Sequence, residues 1–127
     1  MKKAIFLSFF IAFFSCKKEK PQANNNTSNY SVEYRADFNS SAINGSVEFK
    51  DENGIIQKEV IQGFSPYNYP MSVKSGFEMN IKAAGVSSYS TSGTIYYTDV
   101  DIEIYQNGNM VSQQSGYAWQ ELTYIVK

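Results

Sequence analysis

Three carboxylates occupy alternate positions of one short stretch: Asp99, Asp101 and Glu103 in TDVDIEIY. On an extended chain that spacing puts neighbours about 6.6 Å apart on one face. This is the separation of the acid and base of an inverting glycosidase, and hard oxygen ligands of this kind also suit calcium. The competing account, which we favour, is a solvated strand face or a charged edge that discourages sheet-to-sheet association. Aromatic side chains form the second group. Tyr67 and Tyr69 in GFSPYNYP, Tyr89 in SSYSTSG and the exposed member of Tyr96-Tyr97, taken as Tyr97, are candidates for a platform that contacts a glycan, peptide or lipid. Tyr34, Tyr105 and Tyr124 fall in strands, where cross-strand packing accounts for them. The chain has no histidine, which excludes Ser-His-Asp and Cys-His catalysis and imidazole-based zinc sites. It also has no Gly-rich phosphate loop. A non-catalytic protein without a cofactor is the expectation.

The one cysteine, Cys16, sits in FFSCKKEK behind a run of phenylalanines. Before it come the basic MKK, the apolar stretch from Ala4 to Phe14 and the small Ser15, which is the layout of an export signal. That apolar stretch would rise only about 16 Å as a helix, short of a hydrocarbon core of about 30 Å. The junction resembles a bacterial lipoprotein signal, whose cysteine takes a diacylglyceryl thioether and becomes the first residue after cleavage. Phe13 and Phe14 depart from the usual Leu-Ala/Ser-Gly/Ala pattern, while Ser15 fits it. Several acyl chains on Cys16 would anchor stably at about 0.8 kcal/mol per buried CH₂. An uncleaved short anchor, or a secreted protein dimerised through Cys16, are the alternatives.

Residues 16–29 are then the lipidated cysteine and a tether. KKEKPQANNNTSN is polar, without aromatic residues or hydrophobic periodicity. As a flexible coil it would reach roughly 20 Å. The resemblance to lipoproteins implies an outer-membrane destination, since Lys17 stands where an aspartate would signal inner-membrane retention.

Residues 30–127 read as one domain, long enough for a single core. It holds eleven acidic and six basic residues, a formal −5 against −1 for the whole chain, so nucleic acid is an improbable partner. Its hydrophobic period is two. Val32, Tyr34, Ala36 and Phe38 alternate with Glu33, Arg35 and Asp37, and FEMNIKA and TDVDIEIY repeat the pattern. Asp51-Glu52-Asn53-Gly54 and Asn107-Gly108 supply hairpin turns. These signals predict strands near 31–38, 45–50, 55–62, 71–75, 77–84, 94–106 and 109–126, the last interrupted at Gly116. The expected fold is all-β: an immunoglobulin-like antiparallel β-sandwich of about seven strands, with a closed barrel as the alternative.

The order Tyr34, VEFKDENG, Tyr69-Pro70-Met71-Ser72, Ala83-Ala84 and IEIYQNGNMV resembles the immunoglobulin-like domain of the MmpS family of transport accessory proteins, over roughly residues 32–126. Met71 stands where that family has tryptophan, its paired cysteines are absent, and the anchor is a lipid instead of a helix. The resemblance implies an accessory role beside lipid or drug exporters. The functional expectation is a lipid-anchored binding or accessory module whose partner is an exporter, another envelope protein or a glycan, with a purely structural envelope protein as the alternative. Pro66 and Pro70 restrict GFSPYNYP, so a stiff loop is expected, with Tyr69 and Met71 packed inward and Tyr67 projecting into solvent toward a partner.

Overall fold

The computed structural model describes residues 28–127, and all its regular structure is antiparallel β. The strands are β1 Asn29–Phe38, β2 Asn44–Lys50, β3 Ile56–Gln62, β4 Tyr67–Lys74, β5 Glu78–Tyr89, β6 Ile95–Gln106, β7 Asn109–Tyr117 and β8 Gln120–Ile125. The expected export signal, Cys16 and most of the expected tether lie outside the described residues.

Hydrogen bonding joins the eight strands into one sheet of order β3-β2-β5-β6-β1-β4, with β7 added to β6 and β8 to β5. The long β6 makes the link. Its first residues, Ile95–Thr98, pair with Gly85–Tyr89 of β5. From there on, residues 100–106 lie between β1 and β7. The sheet therefore folds back on itself around one apolar interior and is nearly a barrel. Eight strands form instead of seven because the final segment breaks at Ala118, whose φ of 64° is a left-handed turn conformation, and not at Gly116, which stays in β7.

β4 begins earlier than the sequence pattern suggests. GFSPYNYP is not a stiff loop: Tyr67 to Pro70 are strand, paired from Tyr67↔Ala36 to Pro70↔Glu33. Since β4 pairs only with β1, its outer side is a free edge, the one strand position that tolerates an imino acid without losing a ladder bond.

The interior is built from the alternate residues of the strands. Val32, Tyr34, Ala36 and Phe38 of β1, Val47 and Phe49 of β2, Met79, Ile81 and Ala83 of β5, and Val100, Ile102 and Ile104 of β6 are all buried. One close approach dictates a glycine. A Cβ on Gly45 would lie 2.4 Å from the Phe38 ring, so β2 can cover that ring only where it carries no side chain.

The β2–β3 turn is organised by Asp51. Its Oδ1 accepts the N–H groups of Asn53 and Ile55, both at 2.9 Å, and its Oδ2 accepts Gln57 Nε2 at 2.7 Å. Those bonds, led by Gln57, hold the Asp51 carboxyl below the usual carboxylate range. The sign follows from linkage: a depressed folded pKa contributes stability above the unfolded value of about 4, and that contribution is lost as pH falls through the folded value. Asp51→Asn is therefore expected to lower the melting temperature at neutral pH and to flatten the decline between neutral pH and strong acid. Parallel acid limbs for variant and wild type would exclude this role.

Candidate functional site

β1 runs for ten residues from the tether end, about 33 Å, so its two ends lie on opposite poles of the domain. At the far pole the connections 39–43, 63–66, 90–94 and 118–119 read NSSAI, GFSP, STSGT and AW, without one charged residue. The near pole differs, with Asp51, Glu52, Lys74, Glu78 and Lys127 at or beside its turns. Strand ends explain the grouping. Phe38 pairs with Val100, Asn44 with Gln62 and Val86, and Asp99 with Tyr117, which brings all four connections to one pole.

These connections are tied to the strands and to one another. Ile43 N–H donates to Val86 O at 2.7 Å, and Gly63 N–H donates to Ile43 O at 2.8 Å. Ala118 N–H reaches Thr98 O at 3.3 Å, and the hydroxyls of Ser41 and Thr98 stand 3.0 Å apart. Around this frame Ile43, Phe64, Tyr89, Ile95, Tyr96 and Tyr117 are exposed, Phe64 to 58% and Tyr117 to 62%. Large side chains of this kind on an uncharged, hydrogen-bonded frame of Ser, Thr, Gly and Asn have the composition of recognition loops on β-sandwich binders. They present contact area at low ordering cost.

The aromatic candidates from the sequence divide. Tyr89 belongs to this pole; it is exposed, and its hydroxyl accepts Asn44 Nδ2 at 3.1 Å. In the Tyr96-Tyr97 pair Tyr96 is the exposed ring, while Tyr97 is half-buried opposite Val86. The register shift between Val86 and Ser88 lies on β5 and leaves β6 continuous, so Tyr96 keeps the parity of buried Thr98 and Val100 and is exposed at the strand's open end. Tyr67 does not project into solvent. It is only 7% exposed, its ring centroid lies 5.7 Å from that of Phe49, and its hydroxyl donates to Glu59 Oε1 at 3.3 Å. Burial, followed by the nearby Glu59 charge, pushes the Tyr67 phenol up. The reason is strand parity: Tyr67, Tyr69, Met71 and Val73 share the inward face of β4. Tyr67→Ala is accordingly expected to cost about 2–3 kcal/mol of stability, read as an early thermal melt; an unchanged melt would return the ring to the surface.

Asp99, Asp101 and Glu103 lie on the outer face of β6, which is an interior strand and not an edge. Asp101 stands opposite Asp37 on β1, and Glu103 opposite Arg35. Glu103 Oε2 accepts the Tyr105 hydroxyl at 2.8 Å, and the Arg35 guanidinium lies over the Tyr105 ring at 4.0 Å while bonding Glu33 at 2.8 Å. Among the described residues no three acidic or sulfur side chains converge on a metal position.

Trp119, the only tryptophan of the chain, carried no signal in the strand pattern because it lies in the turn between β7 and β8. With Val60 it walls a shallow trough of about 340 Å³ on the outer face of β2 and β3. Comparison with models of known protein families gives no match, and comparison with curated proteins gives none either.

Proposed function

We propose that the protein is a non-catalytic binding module of the cell envelope, held to the outer membrane by acyl chains on Cys16 and presenting its far pole to a partner. On this reading the two halves of the folded-back sheet form an immunoglobulin-like sandwich, and the module serves as an accessory to an envelope protein of the exporter class that the MmpS-like residue order implies. The observation that carries the reading is the aromatic, cross-bonded pole opposite the tether, whose four connections hold no charged residue and whose nearest charges are Asp37 and Asp99 on the flanking strands. Absence of histidine from the whole chain supports the non-catalytic part.

Two measurements test it. Cys16→Ala is expected to release the protein from membranes and to abolish incorporation of labelled fatty acid; a mutant that still fractionates with membranes, beside a wild type that takes up no label, removes the anchor. The second compares Phe64→Ser/Tyr96→Ser with wild type in crosslinking on intact envelopes. Loss of a specific crosslinked species at an unchanged melting temperature supports the far pole as the contact surface. Crosslinks identical in both proteins would exclude it.

A further inference from the structure

We propose that the protein forms a homodimer in which β7 of one copy pairs, antiparallel, with β7 of a second copy. Among the described residues β3, β4, β7 and β8 each pair on one side only. A free strand side is a template for another chain, and folded proteins blunt it with charge or proline. Three of these strands are blunted: β3 carries Lys58 and Glu59, β4 carries Pro70 and Lys74, and β8 carries Glu121. β7, NMVSQQSGY, runs for nine residues with neither a charge nor a proline.

The ladder shows which backbone groups of β7 are available. Ala118 N–H donates to Thr98 O, and the register then runs without a shift from Tyr117↔Asp99 to Ser112↔Ile104. Bonded and non-bonded pairs alternate in an antiparallel ladder. Gly116 and Gln114 therefore bond β6, while Tyr117, Ser115 and Gln113 turn their N–H and C=O groups to the free side. The Tyr117 carbonyl marks that direction, since it accepts Gln120 Nε2 at 2.9 Å in place of a strand partner. Before Ser112 the register shifts at Ile104/Tyr105, so the regular free edge is short and centred on Ser115.

A second copy fits this edge by symmetry and by charge. A two-fold axis at Ser115 sets that residue opposite its own copy and sets Gln113 opposite Tyr117 of the second copy. Each opposed pair of free residues exchanges two backbone hydrogen bonds, and the exposed Tyr117 ring lies beside the Gln113 side chain of the second copy. Self-pairing at β3 is poorer, because registers centred on Lys58 or Glu59 put like charges directly opposite. Behind β7 stand Asp99, Asp101 and Glu103 of β6, opposite Tyr117, Ser115 and Gln113. Two uncharged strands hold the acidic rows of the two copies about 14 Å apart, three strand spacings, beyond the screening length of about 8 Å at physiological ionic strength. An acidic strand from another protein would lie closer to that row. The contact uses the same patch on both copies, so association closes at two. It stands whether or not the loops of the far pole hold a partner.

Sedimentation of the full chain in detergent, from about 1 to 500 μM, is expected to show a monomer–dimer equilibrium with Kd at or below about 100 μM. Ser115→Lys puts two ammonium groups opposite each other at an exposed position. It is expected to weaken the dimer at least about tenfold with the melting temperature kept. Disulfide trapping reads the register. Ser115→Cys is expected to give a covalent dimer on mild oxidation, because opposed residues of a bonded pair have Cα atoms about 5.5 Å apart, within disulfide reach. Gln113→Cys alone should give none, and Gln113→Cys combined with Tyr117→Cys should give one. Wild type, whose one cysteine is Cys16, supplies the background. A wild type that stays monomeric throughout the range would overturn the proposal, as would a dimer that Ser115→Lys leaves intact. Trapping of Ser115→Cys no faster than of Val60→Cys, on the β3 edge, would show random collision and also overturn it. Gln113, Ser115 and Tyr117 amides protected from exchange in a monomer would assign the edge to residues 16–27 of the same chain instead. Phe64→Ser/Tyr96→Ser leaves β7 intact and should dimerise as wild type does, so the crosslinking and the sedimentation fail independently.

Discussion

Phe49→Ala is expected to cost the domain about 3–5 kcal/mol, the range for emptying a buried aromatic site. Phe49 is fully buried, and three tyrosines surround it: its ring centroid lies 4.4 Å from that of Tyr69 and 5.7 Å from those of Tyr34 and Tyr67. All three pairs are tilted, the arrangement in which ring quadrupoles attract, and each adds about 0.5–1.5 kcal/mol beyond burial. These rings come from β1 and β4 while Phe49 comes from β2, so this cluster packs the two ends of the folded-back sheet against each other. Against a total stability of about 5–15 kcal/mol the loss is large. A thermal melt lowered by roughly 15–30 °C is the expected readout for a domain of this size. Phe49→Leu, which keeps much of the volume but not the ring contacts, is expected to lose about 1–2 kcal/mol. Equal melts for wild type and Phe49→Ala would mean that the interior is not packed around this ring.

Alternation made most strands legible. Predicted bounds of 31–38, 45–50 and 94–106 lie within two residues of β1, β2 and β6, since in each a buried and a solvated face alternate. What failed had physical causes. Pro66 and Pro70 suggested a loop, although Tyr67, Tyr69, Met71 and Val73 already alternated through it; an edge strand with its ladder side turned away from the imino nitrogen reconciles the two. Gly116 read as the break in the last segment, yet the chain turns at Ala118, a residue type that does not announce a positive φ.

The candidate surface was less legible than the fold. Tyr89 could be placed at a loop end from its Ser-, Thr- and Gly-rich neighbours. In the Tyr96-Tyr97 pair the alternation of β6 would put Tyr96 with buried Thr98 and Val100, yet it lies near the strand's end, where that side is open to solvent. Trp119 and Val60 are far apart in sequence and share no periodic scheme; only the pairing of β3 with β2, of β2 with β5 and of β5 with β8 brings them toward one row. Sites of that kind are set by register, and register between distant strands is not written in any short window.

Tyr34→Phe is expected to cost about 2–4 kcal/mol although it removes a single oxygen. Tyr34 is fully buried, and its hydroxyl donates to Lys50 O at 2.9 Å while accepting the Asn80 N–H at 2.9 Å. Through that one atom β1 is bonded to the end of β2 and to β5. Phenylalanine would keep the ring contacts and strand two backbone groups, each costing about 1–3 kcal/mol if left buried without a partner. The amide of Asn80 reports this directly: it should be protected from hydrogen exchange in wild type and exchange faster in Tyr34→Phe. Burial also pushes the Tyr34 phenol well above its ordinary range. A raised folded pKa contributes stability that is fully present below the unfolded value of about 10 and lost as pH rises beyond it. Wild type should therefore lose stability steeply in alkali, and Tyr34→Phe, already weaker at neutral pH, should follow a flatter alkaline limb, with Tyr67, Tyr69 and Tyr105, whose phenols are also pushed up, contributing to the remaining slope. Unchanged Asn80 exchange together with parallel alkaline limbs would show that the hydroxyl is not the tie between these strands.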